Sequence, residues 1–217
     1  MTGRRWALGA AVLAVVGGAA IGLGVRDRPG AEPPLTVSPA PEASSPAPGP
    51  STTSKQAGVL TTGPLMTTSP PVRVSIPALK VTDTAIIGLG QQADGAMQVP
   101  TDAKTVGWYT KAPTPGSLGP SVLAGHVDFH GRPGTFARLA GLRAGNEITI
   151  GRSDGSTAVF GVTKVERYAK DRFPSAAVYG PIDHAGLRLI TCGGDFDSGA
   201  GHYQDNIVVY AVLRRTA

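Results

Sequence analysis

The chain carries one cysteine, Cys192, and it closes an apolar run: Leu187-Arg188-Leu189-Ile190-Thr191-Cys192-Gly193-Gly194. A β-strand that runs into a cysteine holds the thiol on rigid backbone yet leaves it at the mouth of a sheet. The two glycines let backbone come close to a bound ligand with no Cβ between them, and their N–H groups are of the kind that stabilise an oxyanion. From this segment alone, a buried cysteine ending a strand before a plain glycine turn would look the same. A second segment, Ser121-Val122-Leu123-Ala124-Gly125-His126-Val127-Asp128, repeats the arrangement: a strand, a glycine, then a reactive side chain. A thiol reacts as the thiolate, and a neighbouring histidine is the usual group that makes it one. The chemistry of such a pair is nucleophilic catalysis by sulfur. His126 and Cys192 stand 66 positions apart, so only the fold can join them.

The elements that must do the joining are mostly strands. From Pro71 onward the pattern is β: Val72-Arg73-Val74-Ser75-Ile76 alternates, and Thr84–Ile87, Met97–Val99, Val106–Trp108 and Ser121–Ala124 are short apolar runs between turn residues. Glu147–Ile150, Thr157–Val165, Leu187–Thr191 and Ile207–Val212 follow, with Ser153-Asp154-Gly155 reading as a hairpin turn. Only Thr135–Leu142 reads as helix. Many short strands with few helices predict an all-β barrel or sandwich.

The first 70 residues have another character. Arg4 and Arg5 precede an uncharged run, Trp6–Val25, which Arg26, Asp27 and Arg28 close. As a helix it is long enough to span a bilayer, and its length, long for the apolar core of a cleaved signal peptide, favours a signal anchor. Residues 29–70 hold ten of the 19 prolines, with much Ser, Thr and Ala, and no aromatic residue occurs between Trp6 and Trp108. Such a stretch buries too little apolar surface to fold and reads as a stalk. The expected organisation is an anchor over 1–28, a linker over 29–70 and one domain over 71–217. The net charge is +5, but the basic residues are scattered rather than gathered into a stripe, which argues against nucleic acid as partner. Outside the cytoplasm a lone thiol has no internal disulfide partner, which makes a reactive role for Cys192 worth considering.

Together, Ala-Gly-His-Val-Asp at one strand end and Leu-Ile-Thr-Cys at another resemble the sortase family over roughly residues 71–217. Val74-Ser75-Ile76-Pro77 is similar to the family's first strand and Asn206–Ala211 to its last. Thr191–Asp197 and Tyr203–Val209 resemble the actinobacterial sortases grouped as class F. The resemblance implies an eight-stranded barrel with one or two short helices. It implies a cysteine transpeptidase acting on surface proteins with a C-terminal Leu-Pro-x-Thr-Gly-like signal; the N-terminal run places it at the membrane, outside the cell, and no cofactor or metal is expected. Cys192 would attack the Thr–Gly carbonyl and form a thioester, and a cell-wall precursor amine would release it. His126 would move protons to and from the two amines, and Thr191 would contact bound substrate or support the oxyanion.

One position departs from the family pattern. Where sortases carry an arginine at the start of the last strand, this chain has Asn206. Its amide still offers N–H donors to an oxyanion, without a formal charge. An arginine from elsewhere is the alternative, and Arg188 shares a strand face with Cys192 by parity. His202 is the rival base, while His130 and His184 lie in polar loops. Asp195, Asp197 and Asp205 lack metal-ligand spacing. Competing readings are a cell-wall L,D-transpeptidase, a thiol protease, or a non-catalytic surface β-domain. The first places its cysteine in a Ser-His-Gly-x-Cys context and papain-like proteases place it at a helix start, neither of which Leu189–Gly194 matches.

Overall fold

The computed structural model describes residues 61–93, 95–199 and 201–217; the proposed anchor and most of the linker lie outside them. Ten strands are assigned among the described residues: β1 (Pro71–Ile76), β2 (Val81–Leu89), β3 (Val106–Tyr109), β4 (Gly119–Ala124), β5 (Asp128–Phe129), β6 (Arg132–Pro133), β7 (Glu147–Arg152), β8 (Thr157–Ala169), β9 (Ala185–Asp197) and β10 (His202–Thr216). Eight of them close into a barrel in the order β1-β2-β3-β4-β9-β10-β8-β7, and β5 and β6 form a separate small ribbon. Closure leaves no unpaired sheet edge. The all-β barrel expected from the alternating runs is therefore present. Met97–Val99 makes only an isolated bridge, Gln91 to Met97.

Helix is placed differently from the sequence expectation. Thr135–Leu142 contains only a 3-10 turn at Leu139–Gly141, because its first N–H groups are committed elsewhere, Thr135 to Ala103 O and Phe136 to His126 O. Among the described residues the α-helix is α1 (Ser175–Tyr179), after Pro174 in the long β8–β9 connection.

Two apolar layers follow from the strand period of two. Leu187, Leu189, Ile207, Val209 and Ala211 point into the barrel with Phe136, Ile148 and Phe160. Residues of the opposite parity, Val122, Ile190, Val208 and Tyr210, form a second cluster on the outer face beneath Val178 of α1. The barrel thus presents an outer floor of β4, β9 and β10 that α1 partly covers.

Residues 61–70 form no strand but are tied to the barrel. Thr62 N–H donates to Asp183 O (2.8 Å), and Met66 N–H donates to Gly116 O (2.8 Å). Ser69 N–H donates to Thr114 Oγ1 (3.2 Å). Arg152, only 3 % exposed, donates to Thr67 O and to Ser156 Oγ. Among the described residues no helix is long and apolar enough to cross a membrane.

Candidate active site

The site is built on two neighbouring parallel strands. β4 pairs with β9 from Gly119↔Ala185 to Ala124↔Ile190, and the Gly125 N–H donates to Ile190 O (3.1 Å). Each partner pair is 66 positions apart, the separation of His126 from Cys192. Carrying the register two residues further sets His126 level with Cys192 on the next strand, and adjacent strands lie about 4.8 Å apart. On the other side of β9, antiparallel β10 pairs Asn206 directly with Cys192. Directly paired residues of an antiparallel ladder share a face. Parity places Cys192 and Asn206 on the outer floor with Ile190 and Val208.

Cys192 is half-buried and unpaired by disulfide. His126 is half-buried too; its Nε2 is 2.7 Å from the Pro100 carbonyl, and its ring lies 4.8 Å from that of Phe129. No hydrogen bond joins the imidazole to the thiol. Thr191 points inward and is 4 % exposed, and its Oγ1 has no hydrogen-bond partner among the described residues. A cavity of about 650 Å³ opens beside Cys192, lined by Thr191, Cys192, Gly193, Tyr203 and Ile207 among others.

The two glycines have specific reasons. A Cβ on Gly193 would come within 2.7 Å of Ile207 Cγ1. Gly194 has φ +80°, and a Cβ there would lie 2.3 Å from Asp205 Oδ2 and 2.8 Å from Arg167 Nη2. They make room for β10 and for an ion pair rather than for a turn.

That ion pair belongs to an arginine the sequence reading did not single out. Arg167 on β8 pairs across the ladder with Ile207, donates from Nε to Asp205, and lines the cavity that holds Cys192. Its guanidinium reaches over β10 to Gly194, two residues past Cys192. Arg188 lies elsewhere. It shares the Cys192 face but stacks on Tyr210 (4.5 Å) and donates to Leu187 O, and its Nη1 would lie 3.2 Å from a Cβ on Gly186, on the side away from Cys192. Burial without a carboxylate partner pushes the Arg188 pKa down, partly offset by Tyr210 and Tyr168. Burial first, then the hydrogen bond with Tyr168, pushes the Tyr210 phenol up.

The remaining candidates are apart from the thiol. His202 sits at the β9–β10 hairpin tip opposite Asp197, four residues before Asn206 and about 13 Å along the strand from it. His184 pairs with Asp183, and His130 is exposed on the β5–β6 turn. Among the described residues no group of three or more His, Cys, Asp or Glu is placed to hold a metal ion.

The family model of the sortase domain matches residues 74–214. The chain belongs to the sortase family. Solved sortases share its fold at low identity. One is the SrtA sortase from Actinomyces oris, with 20 % identity, 75 % of this chain and 89 % of that chain covered, and a TM-score of 0.52. Sortase C-1 from the same organism matches at 19 % identity, 67 % and 75 % coverage and a TM-score of 0.51. The lid-mutant of Streptococcus agalactiae sortase C1 matches at 17 %, 70 % and 71 %, and 0.53. No curated protein matches. As a sortase the chain is a cysteine transpeptidase, and the closed eight-stranded barrel is the sortase fold.

Proposed function

We propose that this sortase cleaves a Leu-Pro-x-Thr-Gly-like sorting signal between Thr and Gly and passes the acyl group to a cell-wall amine. The Cys192 thiolate attacks the threonyl carbonyl carbon. The oxyanion collapses, the C–N bond breaks, and the leaving amine takes a proton from His126. The thioester is then attacked by the acceptor amine, which gives its proton to His126, and the thiolate returns. The observation that carries this reading is the β4–β9 register, Gly119↔Ala185 to Ala124↔Ile190, which if continued two residues brings His126 level with Cys192.

Asn206, paired with Cys192, donates an amide N–H to the oxyanion, and Arg167 supplies the guanidinium at the cavity. Thr191 supports the nucleophile from the inner side with its unpartnered hydroxyl. Arg188 braces the outer floor for the upstream part of the signal. The substrates are surface proteins bearing the signal. Residues 1–28 hold the chain at the membrane and 29–70 link them to an extracellular catalytic domain, in keeping with the class F resemblance.

The test incubates the full chain in detergent with a Leu-Pro-x-Thr-Gly peptide and an amine acceptor, beside Cys192→Ala. A ligated product absent from the Cys192→Ala sample is expected. Hydrolysis without ligation for every amine tried would point to a peptidase instead.

A further inference from the structure

We infer that Thr135 and Asp102 are positioning residues: through the loop Pro100–Thr105 they hold the Pro100 carbonyl against His126, fixing the imidazole with its proton on Nε2. Nδ1 is then the nitrogen that takes a proton from the acceptor amine and gives one to the leaving amine. This rests on the role proposed for His126.

The argument begins with the 2.7 Å contact between His126 Nε2 and Pro100 O. A carbonyl oxygen only accepts, so Nε2 carries hydrogen in the neutral and the cationic ring alike. The proton that comes and goes is therefore on Nδ1.

The carbonyl is held firmly. Pro100 is buried and its ring fixes φ. The Asp102 carboxylate accepts from Lys104 N (2.7 Å), Thr105 N (2.8 Å) and Thr105 Oγ1 (2.6 Å), closing the loop on itself. Thr135 then pins the loop from outside: its N–H donates to Ala103 O (2.8 Å) and its hydroxyl to Lys104 O (2.6 Å).

The same short segment holds His126. Phe136 N–H donates to His126 O (3.0 Å), and Gly134 lies so close that a Cβ would sit 2.1 Å from that oxygen. Gly134–Phe136 thus grips the histidine with one residue and the loop with the next, which sets ring and carbonyl relative to each other. The titratable and charged groups on the elements around the ring are Asp102 and Lys104 from the loop, Asp128, His130 and Arg132 from the β5–β6 ribbon, and Cys192 from β9. Hydrogen bonds, the Thr105 hydroxyl first, hold the Asp102 carboxyl below its usual range; the His126 charge contributes in the same direction.

The test is long-range 1H–15N correlation on full-length protein with 15N-labelled histidine, with His126→Gln to assign the signals. The neutral His126 ring is expected almost wholly in the Nε2–H form. Thr135→Val is expected to mix the tautomers and lower kcat/KM about tenfold. Thr135→Ser is expected to restore both. If Thr135→Val does not fold, Asp102→Asn loosens the loop from its exposed side and takes its place. An Nδ1–H ring in the wild type, or a tautomer ratio unmoved by the folded variant, overturns the inference. The spectrum needs no substrate. Protein inactive on every signal peptide counts against the transpeptidase reading alone.

Discussion

Replacing Gly134 with alanine isolates how finely His126 is held. A Cβ at Gly134 would lie 2.1 Å from His126 O, 2.5 Å from its carbonyl carbon and 2.8 Å from its Cβ. The first two are backbone atoms and cannot swing aside. Bringing the 2.1 Å contact to the 3.4 Å of ordinary contact displaces the histidine backbone by about 1.3 Å. Misplacing a catalytic group by about 1 Å costs on the order of 100-fold in rate. Overpacking alone costs about 1–3 kcal/mol of stability, which a small domain survives. Gly134→Ala is therefore expected to stay folded with a lowered Tm and to lose about 100-fold in kcat/KM on a signal peptide. Gly141→Ala is the control, since a Cβ there meets nothing within 4 Å. The assay is peptide cleavage well below the variant's Tm, beside a thermal melt. Wild-type kcat/KM in Gly134→Ala would refute the reasoning, because His126 would then tolerate a displacement that the contacts make unavoidable.

Asn206→Ala should lower kcat/KM by about 100-fold to 1000-fold, as loss of an oxyanion donor does, and full activity would remove Asn206 from the site. Arg167→Gln should impair turnover more than Arg188→Gln, because only Arg167 shares the cavity of Cys192; equal losses in steady-state kinetics would speak against that. Acid should destabilise the domain. Asp102, Glu147, Asp154 and Asp183 are held below the ordinary carboxyl range, chiefly by Thr105, Arg215, Ser156 and His184 respectively. A depressed carboxyl stabilises fully above its unfolded pKa of about 4, and that contribution goes as pH drops through the folded value. Tm should therefore fall below about pH 4, and a flat profile there would contradict the sign. A chain starting at residue 71 should be less stable than one starting at 59 by about 3 kcal/mol, since Arg152 loses its Thr67 acceptor, and matching denaturant midpoints would refute this.

Much of the barrel was legible because strand periodicity is local. Val72–Ile76, Thr157–Val165 and Ile207–Val212 announce themselves by alternation, and each lies within an observed strand. The helix was not legible. Ser175–Tyr179 is five residues long and carries one buried side chain, Val178, too little for a 3.6-residue stripe. Thr135–Leu142 has the apolar spacing, but its backbone is committed to Ala103 O and His126 O instead of to a helix. Cys192 and His126 are visible because each is a reactive side chain that meets glycine at the end of an apolar run, although β9 runs on past Cys192 to Asp197. Arg167 was hidden because its reach to Gly194 depends on the β8–β10 register, which shifts between Tyr210 and Ala211 and again between Leu213 and Arg215. The loop at Pro100 was hidden for a related reason, since a backbone carbonyl leaves no mark on the sequence.

The parallel pairing of β4 with β9 also bears on when the thiol becomes competent. Antiparallel neighbours can form by local hairpin closure, but β4 and β9 are separated by β5 to β8 and α1. Bringing them together requires closing a loop of about 60 residues, a late and slow event in barrel folding. Until that pairing forms, His126 and Cys192 are not on neighbouring strands, and the proton transfer proposed between them waits on it. On that reading a newly made or partly unfolded chain is silent toward peptide carbonyls, and activity reports that this long-range pairing is in place.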